Sequence, residues 1–182
     1  MRKLIVAAIL SAFCVSLGAI PALAEQMPAA QGEQPAAKVP VPKITKVFAS
    51  PEVWPGETWR IYLNAQHPAG EMKQFVAIVD QPGVGQYPIS MIRIKDENRK
   101  ELSGYLYLVT ATPWDALDFV NLKLTIYIQD RAGKYSEPVE FPLSIQSRYI
   151  QEAPEPGIFK DEALGPIMIK LKKVRGGKGG RS

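Results

Sequence analysis

Residues 122–145 read LKLTIYIQDRAGKYSEPVEFPLSI, and two strands joined by a tight turn are written in them. Leu122, Leu124, Ile126 and Ile128 alternate without a break with Lys123, Thr125, Tyr127 and Gln129. Successive side chains of a strand point to opposite faces, so this period of two makes one face apolar and the other wet. Asp130-Arg-Ala-Gly133 then breaks the pattern. An aspartate there can bond the backbone N–H groups two residues on, and a glycine takes left-handed φ without steric cost. The run from Tyr135 to Ile145 is extended again. Pro138 and Pro142 have no N–H to give to a ladder, which predicts an edge strand.

The same grammar continues towards the N-terminus. Ile44–Ala49 is a first apolar run closed by Ser50-Pro51, and Trp54-Pro55-Gly56 makes a turn, with proline presetting φ and glycine accepting positive φ. Trp59, Ile61 and Leu63 alternate with Thr58, Arg60, Tyr62 and Asn64. After the break at His67-Pro-Ala-Gly70, Lys73–Asp80 is apolar on both faces, as a central strand is. Pro82, Gly83 and Gly85 mark the next loop, up to Tyr87. Ile89–Ile94 follows, with Ile89, Met91 and Arg93 on one face and Ile92 and Ile94 on the other. Asp96–Lys100 is a charged turn, and Leu102–Thr112 is a long run in which Gly104 marks a bulge or bend. Seven such runs over roughly 100 residues, with turns every 8–12 or so, predict an all-β, two-sheet sandwich. Sixteen prolines in 182 residues also disfavour long helices.

The segment LTIYIQDRAGKYS from Leu124 to Ser136, with Val139, Phe141, Leu143 and Ile145 alternating after it, resembles the closing hairpin of bacterial immunoglobulin-like modules. In those modules an Asp-x-Ala-Gly-x-x-Ser turn joins the last two strands. Pro55-Gly-Glu-Thr58, ahead of an alternating strand, resembles their first corner. The resemblance spans residues 43–147 and implies an immunoglobulin-like two-sheet β-sandwich of about seven strands. The cysteine pair of antibody domains is missing, and no tryptophan sits in the third run.

Around this body the chain divides further. Arg2 and Lys3, the apolar run Leu4–Ile20 and the small-x-small triplet Ala22-Leu-Ala24 read as a secretory signal over residues 1–24, cleaved between Ala24 and Glu25. A retained signal anchor is the competing reading of so long an apolar run. Cys14 is the sole cysteine and falls within the signal, where Phe13 before it argues against lipidation. The mature protein therefore has no thiol, and packing alone must hold it together in a periplasmic or secreted setting. Residues 25–42, rich in Pro, Ala and Gln, form a linker with too little apolar surface to offset ordering entropy. Residues 148–182 read as an extended segment with a basic, Gly-rich tail. Within it, Gly165–Ile169 is a short apolar run that could add an edge strand. Taking away Arg2, Lys3 and the six cations after Pro166 leaves 14 basic against 18 acidic residues, so the body is mildly acidic and the tail basic.

Enzymatic signatures are sparse. His67, the one histidine, lies in a Pro-Gly loop without cysteine or clustered carboxylates near it in sequence, which argues against zinc. With no other histidine and no Gly-x-Ser-x-Gly elbow, triad chemistry lacks its parts. Asp115 and Asp118 share a loop where solvation is the usual fate of carboxylates, and a glycosidase needs a deeper cleft than a small sandwich supplies. Asp80, Asp96, Glu97 and Asp130 are scattered singly, a poor pattern for calcium. No phosphate-cradling or dinucleotide motif is present, so neither a cofactor nor a metal is expected.

Two sets of residues are candidate contacts. Trp54, Tyr87 and Trp114 fall in predicted loops and could stack on a ligand, although covering the end of a core is the commoner role of such rings. Lys170, Lys172, Lys173, Arg175, Lys178 and Arg181 make the tail attractive to anionic surfaces, including weak contact with an anionic membrane. The glycines between them offer no stacking rings, which argues against nucleic acid. The leading expectation is an exported, non-enzymatic interaction module of the bacterial cell envelope, with another envelope protein or a surface polysaccharide as partner. A carbohydrate-binding module using the loop aromatics is the rival, and a small envelope enzyme a third reading.

Overall fold

The computed structural model describes residues 40–110, 120–146 and 149–172. Its strands follow the alternation. They are β1 (Lys43–Ala49), β2 (Glu52–Val53), β3 (Thr58–Gln66), β4 (Met72–Gln81) and β5 (Gly85–Gln86). After these come β6 (Ser90–Arg93), β7 (Glu101–Val109), β8 (Val120–Asp130), β9 (Val139–Ile145) and β10 (Ala163–Pro166). A single turn of 3-10 helix, Asp96–Asn98, separates β6 from β7.

Two sheets face each other. One runs β1-β3-β7-β10, and the other runs β2-β9-β8-β4, with β5 and β6 both on the free side of β4. The chain changes sheet from β1 to β2, β2 to β3, β3 to β4, β6 to β7, β7 to β8 and β9 to β10, and the first five of these are the crossing pattern of an immunoglobulin-like sandwich. Inward residues of both layers form one core, led by Trp59, Ile61 and Leu63 of β3, Phe75 of β4, Leu106 and Leu108 of β7, and Leu124, Ile126 and Ile128 of β8. Trp59 is wholly buried, and its indole N–H donates to the Ser50 carbonyl at 2.8 Å, so its one polar atom is satisfied where the chain leaves the first sheet.

The Trp54–Glu57 turn closes with Glu57 N–H on the Trp54 carbonyl at 3.1 Å and Gly56 at φ 94°, as Pro-Gly predicts. At the β8–β9 turn Gly133 has φ 81°, while Asp130 Oδ1 accepts from Lys134 N–H at 2.7 Å. The aspartate thus reaches four residues on rather than two, because Asp130 and Lys134 also exchange a backbone bond that brings them opposite one another.

Several details depart from the sequence reading. The strand β2 was not foreseen: it lies parallel to the end of β9, where Ser144 N–H bonds the Pro51 carbonyl. Hence β9 is an edge only along its first part. Gly104 marks no bulge, since β3 and β7 pair in unbroken register through it. A Cβ there would stand 2.4 Å from the Glu162 carbonyl oxygen and 2.9 Å from Leu164 Cγ. The glycine makes room for returning chain.

That returning chain is the largest difference. Residues 149–172 pack back on the sandwich instead of trailing from it. Strand β10 pairs parallel with β7, which settles the open question of the run at 165–169 in part, since the strand spans Ala163–Pro166. Tyr105 N–H bonds the Glu162 carbonyl and Ile167 N–H bonds the Tyr107 carbonyl, both at 2.8 Å. The chain then passes to the other sheet, where Met168 N–H donates to Ser90 Oγ at 3.0 Å. Ile167 and Leu171 join the core. One segment therefore closes the side of the sandwich between β7 and β6.

Candidate functional site

Of the three loop aromatics, two lie among the described residues. Trp54, on the Pro-Gly corner, is 37% exposed. Tyr87 is only 6% exposed, which corrects its reading as a ligand contact. Its hydroxyl donates to Gln81 Oε1 and accepts from Lys172 N–H at 2.8 Å, and Gln81 Nε2 donates to the Lys172 carbonyl at 2.9 Å. The ring belongs to the core, and the C-terminal segment uses its polar end as an anchor, a contact that no local pattern announces. Trp114 lies outside the described residues, as do Asp115 and Asp118.

Of the basic tail, Lys170 and Lys172 are exposed while Leu171 between them is buried, so the first two cations are held at the rim of the sandwich. Lys173, Arg175, Lys178 and Arg181 lie outside the described residues.

His67 is buried, which its Pro-Gly setting did not suggest. Nδ1 accepts from the Ala69 and Glu71 N–H groups at 3.1 and 3.5 Å, so the ring proton sits on Nε2, 3.5 Å from Asp130 Oδ2. Both side chains are almost wholly enclosed. The pair brings the β3–β4 connection and the β8–β9 turn together.

What does come together is the outer face of the second sheet. Register sets Met91 of β6, Val76 of β4 and Tyr127 of β8 in one row across it. The neighbouring row is Arg93, Gln74 and Gln129, and Gln129 pairs with Tyr135 by an isolated bridge. Gln74 Nε2 donates to Gln129 Oε1 and Gln129 Nε2 to the Tyr135 hydroxyl, each at 2.8 Å. The Tyr127 and Tyr135 rings meet edge to face with centroids 6.1 Å apart. Met91 is 65% exposed, and Ile89 and Tyr135 are each 51% exposed. Sequence alternation puts Ile89, Met91 and Arg93 on one face of their strand and Tyr127 and Gln129 on the wet face of theirs, but only cross-strand register shows which residues share one surface.

The first sheet carries a second aromatic face. Tyr62 and Tyr105 lie 5.4 Å apart, with Arg60 stacked 4.9 Å over the Tyr105 ring. Phe159 of the returning segment covers Tyr62 at 5.7 Å, so the protein's own chain occupies part of this face.

No protein-family model matches the chain, and no curated protein matches it significantly in sequence. Among solved structures, it is similar to the fibronectin(III)-like modules of Clostridium thermocellum CbhA. That likeness has a TM-score of 0.34 and 16% identity, over 59% of this chain and 46% of the other. It is also similar to the CARDB domain of the Pyrococcus furiosus PF1109 protein, solved in complex with di-metal ions. There the TM-score is 0.30 and identity 10%, over 58% of this chain and 86% of that one. The chain thus spans less than half the length of the first of these.

Proposed function

We propose that this protein is an exported, non-enzymatic immunoglobulin-like interaction module of the bacterial cell envelope, and that it docks another envelope protein or a surface polymer on the outer face of its second sheet. The observation that carries the reading is the row Met91, Val76 and Tyr127 across the sheet, with Tyr135 packed edge to face on Tyr127 and Met91 and Tyr135 each at least half exposed. Large apolar and aromatic side chains exposed on one sheet face, with Gln74 and Gln129 in the next row, are the usual make-up of a recognition surface. The apparent signal at residues 1–24 supports export.

Envelope extract passed over the immobilised chain tests this. The wild-type chain is expected to retain a discrete partner that an Ile89→Ser/Met91→Asp variant of equal stability releases. Retention of the same partners by both chains would remove this face from the interaction.

A further inference from the structure

We propose that a cationic groove beside this face binds an anionic glycan, holding a carboxylate or phosphate borne on a sugar. The inference rests on the docking reading above and names the chemistry of the partner.

The groove encloses about 410 Å³ and is lined by Lys73, Gln74, Arg93, Arg99 and Arg131. Three stretches far apart in sequence supply its four cations, each placed by a definite structural cause. Arg93 stands opposite Gln74 in register. The β4–β8 ladder slips between Met72 and Gln74, leaving Lys73 as the extra residue of a bulge, a device that re-aims a side chain. Arg99 follows the 3-10 turn. Arg131 opens the β8–β9 turn, with its N–H on the Glu71 carbonyl at 3.0 Å.

Two of the four cations share carboxylates: Arg99 Nη2 lies 2.6 Å from Asp96 Oδ1, and Arg131 Nε lies 3.5 Å from Glu71 Oε2. Among the described residues Lys73 and Arg93 have no carboxylate within bridging distance, so the groove keeps an excess of two positive charges. The Arg99 side chain is only 14% exposed, and its buried Nε donates to no acceptor among the described residues. A buried charged donor left unmatched is costly, and an incoming oxyanion would meet this cluster of arginine forks.

The surroundings point to a sugar as the carrier of that anion. From Gln74 in the groove, the amide chain through Gln129 leads to the exposed ring of Tyr135. Side-chain amides and a phenol are partners for hydroxyl groups, and a ring face accepts the C–H face of a pyranose. The enclosed volume falls in the usual range of small-ligand sites, roughly 300–1,000 Å³.

Calorimetric titration of the purified full chain at low salt tests the proposal with four probes. Polygalacturonate carries carboxylates on sugar, phosphomannan carries phosphates on sugar, dextran is neutral sugar and polyphosphate is charge without sugar. Binding of either anionic glycan, with dextran inert and polyphosphate weaker, is the expected result, and which glycan binds identifies the anion. A Lys73→Gln/Arg93→Gln variant changes two exposed side chains and should keep its circular dichroism while its Kd rises about tenfold or more. Tyr135→Ala should weaken the glycans but not polyphosphate. Equal binding by the groove variant, loss of binding on Lys178→Ala/Arg181→Ala in the tail, or polyphosphate binding as tightly as the glycans would each overturn it. If no glycan binds while envelope capture still depends on Ile89 and Met91, the docking reading stands and this proposal falls.

Discussion

Replacing Gly104 by alanine is the sharpest probe of how the returning segment sits. The substitution adds one methyl group, and its carbon would lie 2.4 Å from the Glu162 carbonyl oxygen and 2.9 Å from Leu164 Cγ. Comfortable separation between such atoms is about 3.5 Å, so one side must retreat by roughly 1 Å. The Glu162 oxygen cannot swing aside, because it is a main-chain atom already accepting from Tyr105 N–H at 2.8 Å. Strand β7 cannot yield either, since it is paired along its length with β3. Overpacking of this kind costs about 1–3 kcal/mol. With a urea m-value of about 1–3 kcal/mol/M, the unfolding midpoint should fall by roughly 1 M. Amide exchange at Tyr105 and Ile167, whose N–H groups tie the segment to β7 at and just beyond the clash, should quicken in the same variant. An alanine variant with wild-type midpoint and unchanged exchange at both amides would refute the close approach.

Other changes separate further causes. A Cβ at Gly133 meets nothing within 4 Å, so Gly133→Val should cost the strain of φ 81°, about 1–3 kcal/mol; a melting temperature equal to wild type would refute the turn. Tyr87→Phe leaves Gln81 Oε1 and Lys172 N–H without their shared partner, with an expected loss of about 1–3 kcal/mol in chemical denaturation. Ending the chain after Lys172 should leave the melting temperature near wild type. Ending it after Asp161 removes the buried Ile167 and Leu171, each worth about 1.5–3 kcal/mol of burial, and should lower it markedly. Equal melting of the two truncated chains would show that the segment adds nothing to the fold.

The shape of the site follows from the same division between local and distant causes. Met91, Tyr127 and Gln129 are legible as outward residues one strand at a time. Their meeting depends on β4 standing between β6 and β8, with Val76 opposite both Met91 and Tyr127. Lys73 enters the groove through a register slip that no composition or period reveals. Tyr87 illustrates the converse. A ring in a loop with Gly85 before it and Pro88 after it reads as exposed, yet it joins the core and its hydroxyl meets Lys172 from 85 residues away.

By itself the amino-acid sequence determined the layered β architecture, because alternation and turn chemistry act over two to ten residues and need no partner to be read. The Pro-Gly corner, the Asp130–Gly133 turn, the central character of β4 and the inward Trp59 all belong to that level. Tertiary structure alone decided that residues 149–172 close the sandwich, that Gly104 yields space to them, that His67 and Asp130 are buried together, and that four cations converge on one groove. Each of these joins residues separated by tens of positions, and the physical quantity that selects them, burial against a particular neighbour in a particular register, exists only once the sheets have formed.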